Sequence, residues 1–247
     1  MDTPRAGMTR LCLAGLCCLV CFALFPLLSA RATQPDPFER LFGYQAVPAA
    51  GPQDFPVYLE RHWTRVLKEE QNKPCLQRTT SCLPSADASQ WLYLAGKAPV
   101  MDEMTRLRTV SSFFNKFPSA SDRENYGVED HWPTLAEFFS RRSGDCKAYA
   151  LAKYFALRAL GTSDDKLRIV IVHIPARKAN HAMLAVDTAK GVFILDNNMR
   201  PLDLILPQEK LHSQFVPFFM INEKGRWTFN QDTKLLHAGK VGQEYRR

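Results

Sequence analysis

The fold is most legible in Ser143-Gly144-Asp145-Cys146-Lys147-Ala148-Tyr149-Ala150-Leu151-Ala152-Lys153-Tyr154-Phe155-Ala156-Leu157-Arg158-Ala159-Leu160-Gly161. Gly144-Asp145 breaks the chain. From Cys146 to Leu160 only Lys147, Lys153 and Arg158 are charged, and Gly161 is a natural C-terminal stop. A helix that is apolar nearly all round is buried. Cys146 falls in its first turn, where free N–H groups and the positive end of the helix dipole favour thiolate over thiol. Lys147 adds a neighbouring cation.

Downstream, three strand-like runs follow: Arg168–Ile174, His181–Asp187 and Gly191–Asp196. Thr188-Ala189-Lys190 suits a hairpin between the last two. Phe215–Asn222 and Arg226–Asn230 flank Glu223-Lys224-Gly225 as a second hairpin. Upstream, Leu59, Trp63, Val66 and Leu67 predict a helix within Val57–Asn72. Met104, Leu107, Val110 and Phe114 predict another over Met101–Phe117. Pro118–Trp132 is polar and is expected to be an irregular loop, and Thr134–Arg141 reads as a short helix. Trp91 and Trp132 are expected to be buried. Helices first and antiparallel strands second indicate an α+β domain of N-terminal helices packed on an antiparallel sheet.

The beginning of the chain reads as an address. Arg5 and Arg10 precede a charge-free apolar run, Leu11–Leu28, and Ala30-Arg31-Ala32 is a small-x-small cleavage pattern. That is the order of a secretory signal peptide over residues 1–32. An uncleaved anchor is the rival, and Pro26 favours cleavage. The expected mature chain starts near Thr33, outside the cytoplasm, with no stable membrane insertion. Residues 33–54, rich in Pro, Ala and Gly, are expected to form a loose arm, and 55–247 the folded domain. Cys75 and Cys82 can pair in an oxidising compartment, which leaves Cys146 unpaired.

The 247 residues, 46% hydrophobic and 23% charged, exclude collagen-like and wholly disordered classes. The net charge is +7, but the charges alternate in sign and no long basic run occurs, which argues against nucleic acid as a partner. His62, His131, His173, His212 and His237 show no metal-ligand spacing, which argues against structural zinc. There is no Gly-rich phosphate loop.

A cysteine nucleophile needs a proton carrier and a group to orient it. His181 begins one strand of the first hairpin and Asp196 ends the other, six residues before Asp187 and five after Gly191. Both therefore lie at the same sheet edge, within reach of an Asp–His hydrogen bond. Asp196 would fix the imidazole tautomer and His181 would shuttle the proton. Each residue alone has a plainer explanation: a packed cysteine, a satisfied strand histidine, a turn aspartate. The three together are more specific. Acyl transfer to an amine, as in a transglutaminase or amidase, uses the same groups, and a non-catalytic binding module could keep the same fold.

The stretches Tyr126–Trp132, Glu137-Phe138-Phe139, Gly144-Asp145-Cys146, Ala152–Gly161, Ala179–Leu184 and Leu195-Asp196-Asn197 resemble the bacterial transglutaminase-like cysteine proteinases. The resemblance covers roughly Met101–Asn222. It implies a papain-like or transglutaminase-like fold with Cys146, His181 and Asp196 as a catalytic triad. It also implies a periplasmic endopeptidase that cuts a large surface adhesin near paired alanines to control attachment and biofilm. A partner is implied too: an inner-membrane receptor for cyclic di-GMP that captures the protease. The family commonly reads Asp-Cys-Glu-Asp at the nucleophile, with carboxylates serving a calcium site. Here Asp145 remains as the implied calcium ligand, but Lys147 and Ala148 stand where acids are expected. Calcium wants several oxygen ligands. The substitution predicts a weakened or lost calcium dependence, with Lys147 supplying positive charge instead.

Overall fold

A computed structural model describes residues 35–51, 53–72, 75, 84–198 and 205–230. The expected signal segment, residues 1–32, and Cys82 lie outside the described residues. Cys75 is disulfide-bonded. The principal helices are α1 (Val57–Asn72), α2 (Ser85–Lys97), α3 (Glu103–Asn115), α4 (Asp122–Tyr126), α5 (Leu135–Arg141) and α6 (Cys146–Ala159). The strands are β1 (Arg40–Leu41), β2 (Tyr44–Pro48), β3 (Leu167–Ile174), β4 (Ala179–Thr188), β5 (Gly191–Leu195), β6 (Ile205–Pro207), β7 (Val216–Ile221) and β8 (Arg226–Phe229). They form one antiparallel sheet in the order β1-β2-β8-β7-β3-β4-β5-β6. The architecture is the α+β class that the order of elements predicts. No helix of the described residues is long and apolar enough to cross a membrane.

The central strands are apolar on both faces. Ile169 and Ile171 of β3, with Leu184 and Val186 of β4, join the helical core. Val170, Val172, Met183 and Ala185 point to a second core on the opposite face. That alternation follows from the two-residue period of a strand. The helical core is rich in aromatics: Trp91, Phe113, Phe114, Phe117, Phe138 and Phe139 meet edge to face or tilted between α2, α3 and α5. Trp91 and Trp132 are both buried, as expected. α6 is buried along nearly its whole length, as its sequence demands.

Two local expectations need correction. Residues 33–54 are not a loose arm throughout, because β1 and β2 extend the sheet. The cause is the second core. Phe38, Leu41 and Phe42 are almost fully buried in it, and the Arg168 guanidinium lies 4.8 Å from the Phe38 ring. The polar stretch Pro118–Trp132 holds a helix, α4, opened by a reciprocal capping box between Ser121 and Glu124 and closed by Gly127 at φ 72°. α2 and β6 have too weak a periodicity to be legible in the sequence.

Candidate active site

Asp145 caps α6: its Oδ1 accepts the Ala148 N–H at 3.2 Å. Cys146 is therefore the first helical residue, and its own N–H has no intrahelical acceptor. The approach to the cap is tightly fixed. A Cβ on Gly144 would lie 2.5 Å from the Ala148 Cβ, so only glycine passes there. The Ala120 N–H donates to the Gly144 carbonyl at 3.0 Å. The Tyr149 hydroxyl meets the Phe117 and Pro118 carbonyls at 2.7 and 2.9 Å, which ties the preceding segment to the helix.

β4 and β5 bring the other two residues to this helix end. Leu184 pairs with Leu195 and Thr188 with Gly191. Continued by one residue, the register sets Asp196 beside Met183, so His181 is its diagonal neighbour two positions on. The offset is two residues rather than the one counted from the sequence, because the hairpin closes at Thr188, and a diagonal pair is within reach of long side chains. His181 Nε2 stands 2.8 Å from Asp196 Oδ1. Both side chains are buried, whereas Cys146 is partly exposed. The Ala182 N–H donates to Cys146 Sγ at 3.4 Å. Burial works to depress the His181 pKa. The hydrogen bond that His181 donates to Asp196, together with the hydrogen bond and charge of Cys146, outweighs it and raises the value to about 10. Burial also works to raise the Asp196 pKa, and the His181 hydrogen bond and charge pull it below the ordinary carboxylate value. The structure thus brings Cys146, His181 and Asp196 together: a sulfur at a helix N-terminus, an imidazole that holds its proton, and a carboxylate behind it.

Sequence reasoning missed three contributors. Asn115 Nδ2 donates to the Asp196 carbonyl at 3.1 Å and so fixes the end of β5 from α3. The Asn198 N–H donates to Asp196 Oδ1 at 3.0 Å, and its side-chain amide lies 3.4 Å from His181 Nδ1. Lys153, on α6, is fully buried, its Nζ has no hydrogen-bond partner, and burial pushes its pKa down to about 7. For Asn115 and Lys153 the signal was a polar residue beside or within an apolar run, and for Asn198 its place two residues after Asp196. A cleft of about 530 Å³ runs beside Asp196 and Asn198, bounded by Pro175, Arg177 and Phe215. A larger one, about 850 Å³, lies between Phe55, Glu60 and Trp227 and touches none of the three residues. The chemistry, not the volume, marks the site.

Asp145, the implied calcium ligand, has its second oxygen on the Lys147 ammonium. The same ammonium pairs with Asp122 Oδ2 at 2.5 Å and Asp130 Oδ1 at 3.3 Å.

A helix-borne cysteine beside a strand histidine and aspartate, on this antiparallel sheet, is an arrangement that suits a cysteine peptidase of the transglutaminase-like kind. Residues 72–234 match the family of bacterial transglutaminase-like cysteine proteinases (BTLCP), which is more than half of the chain, and the protein belongs to that family. LapG of Legionella pneumophila is a similar solved structure, at 26% identity and a TM-score of 0.51, covering 74% of this chain and 96% of LapG. Its EGTA-treated form matches at 26% identity and a TM-score of 0.52 over the same shares. The calcium-bound form, at 24% identity and a TM-score of 0.51 over 69% of this chain and 91% of LapG, shares the fold. Comparison with curated proteins gave no match.

Proposed function

We propose that the protein is an exported endopeptidase in which Cys146, His181 and Asp196 are the catalytic triad and a large cell-surface adhesin is the substrate. The observation that carries the triad is the convergence of a partly exposed Sγ at the N-terminus of α6 with an imidazole bonded at 2.8 Å to a buried carboxylate. The Cys146 thiolate attacks the peptide carbonyl. The Cys146 N–H donates to the oxyanion. The His181 imidazolium protonates the leaving amine and, once neutral, takes a proton from the water that opens the acyl-enzyme. Asp196 holds the imidazole tautomer. The family and the LapG likeness support the adhesin as substrate, cut to release cells from a biofilm. A cyclic di-GMP receptor in the inner membrane would control it by capture. The apolar run Leu11–Leu28 with its Ala30-Arg31-Ala32 site supports a periplasmic location.

One LapG structure is calcium-bound. Calcium takes six to eight oxygens. The carboxylates beside Cys146 converge instead on an ammonium, and both Asp145 oxygens are engaged. These residues do not fit the metal.

The test is incubation of the mature protein with an N-terminal adhesin fragment. Two shorter products are expected, and none with Cys146→Ala. A heavier, cross-linked product would instead make the protein a transglutaminase. Absence of Cys146 labelling by a thiol-directed peptide electrophile would leave only a binding module.

A further inference from the structure

Lys147 is the second residue of α6, and its side chain is 8% exposed. Its ammonium reaches three carboxylates from three parts of the fold. Asp122 sits in the first turn of α4, Asp130 in the segment after α4, and Asp145 at the cap of α6. Asp122 is itself buried, and its Oδ2 also accepts the His131 N–H at 2.7 Å. His131 in turn contacts Glu137 on α5 at 3.1 Å. Without a cation, three carboxylates at such proximity repel one another and lose solvation with no return. Burial opposes the charged ammonium, but Asp145, Asp122 and Asp130 outweigh it and raise its pKa.

We propose that the Lys147 ammonium is a tethered counter-ion that clamps the 122–131 segment onto the N-terminus of α6, and that this clamp makes the site independent of calcium. Lys147 is a positioning residue. It acts through Asp145, which caps the helix with one oxygen and meets the ammonium with the other. Losing the ammonium frees that carboxylate to swing, and the first turn carrying Cys146 loses its cap. A covalently attached cation has no dissociation equilibrium, so a chelator has nothing to remove. The inference concerns the assembly around Cys146 and rests on the peptidase proposal only where the reactivity of Cys146 is measured.

The experiment compares wild type, Lys147→Glu and Lys147→Gln as mature full chains, in EGTA and in excess calcium. It reads Tm and the rate of Cys146 alkylation by iodoacetamide, with the labelled peptide mapped by mass. Wild type is expected to give the same Tm and the same rate in both media. Lys147→Glu places a fourth carboxylate in the cluster. It is expected to melt lower in EGTA and to recover by about 5–10 °C at a hundredfold excess of calcium over its Kd. Alkylation is expected to be slowed in EGTA and restored by calcium, a rescue that a lysine serving only as packing would not produce. Lys147→Gln is expected to melt below wild type in both media. A wild-type Tm that rises with calcium or drops in EGTA overturns the proposal, even if neither variant folds. So does Lys147→Glu melting like wild type in EGTA. Failure to cut the adhesin fragment, with the melting pattern as expected, would remove the proposed substrate and leave the clamp standing.

Discussion

His181 sits between two groups that both favour its charged form. Asp196 bonds it at 2.8 Å from one side, and Cys146 supplies a further hydrogen bond and charge. Its native pKa, about 10, therefore stands above the ordinary 6.5. A raised pKa contributes stability that is fully present below pH 6.5 and is lost as the pH climbs toward 10. Cys146→Ala removes the hydrogen bond and the charge on that side. We expect its imidazole, followed by NMR, to titrate at lower pH than in wild type, and the alkaline loss of stability, which still starts near pH 6.5, to be smaller and to end at lower pH. Superimposable titration curves for the two proteins would contradict the ion-pair account of this site. At the same scale, Ala182 shows how a backbone group can serve the sulfur: its N–H, next to His181, faces Cys146 at 3.4 Å.

Among the elements, α3 has a role that its amphipathic pattern does not announce. Most of its buried residues are apolar and pack against α2, α5 and α6, but Asn115 at its last position turns inward and holds the Asp196 carbonyl at 3.1 Å. It also lies 3.4 Å from Ser111 Oγ. Asn115→Ala leaves a buried carbonyl without its donor. A cost of about 1–3 kcal/mol is expected in urea unfolding, with a fall in peptide cleavage because the end of β5 is no longer held. Unchanged stability would mean that β5 is fixed by its pairing with β4 and β6 alone. α6 illustrates the opposite case, since its burial, the Gly144-Asp145 break before it and the Gly161 stop after it were all legible locally.

Over the whole molecule, the sheet divides two cores, and the second depends on residues far apart in the chain. Phe42 is 2% exposed, its N–H donates to Gln208 Oε1 at 2.8 Å, and its ring lies 5.3 Å from that of Phe215. Phe42→Ala is expected to cost about 3–5 kcal/mol in chemical denaturation, the range for deleting a buried aromatic ring. A cost below 1 kcal/mol would show that residues 35–48 dock only loosely. The far side of the sheet from the helices is thus closed by the N-terminal segment and not left to solvent.

The helix of Cys146, the hairpin carrying His181 and Asp196, and the order of helices before strands were all legible along the chain. These depend on periodicity, caps and turn residues within a few positions of one another, so local chemistry specifies them. That residues 40–48 complete the sheet, that Asn115 holds Asp196, and that Asp122 and Asp130 come to Lys147 emerges only once the chain is folded. Those contacts join residues separated by many positions in the chain. Their energy comes from burying apolar surface and matching charges across elements, and neither quantity exists until the chain has folded around them.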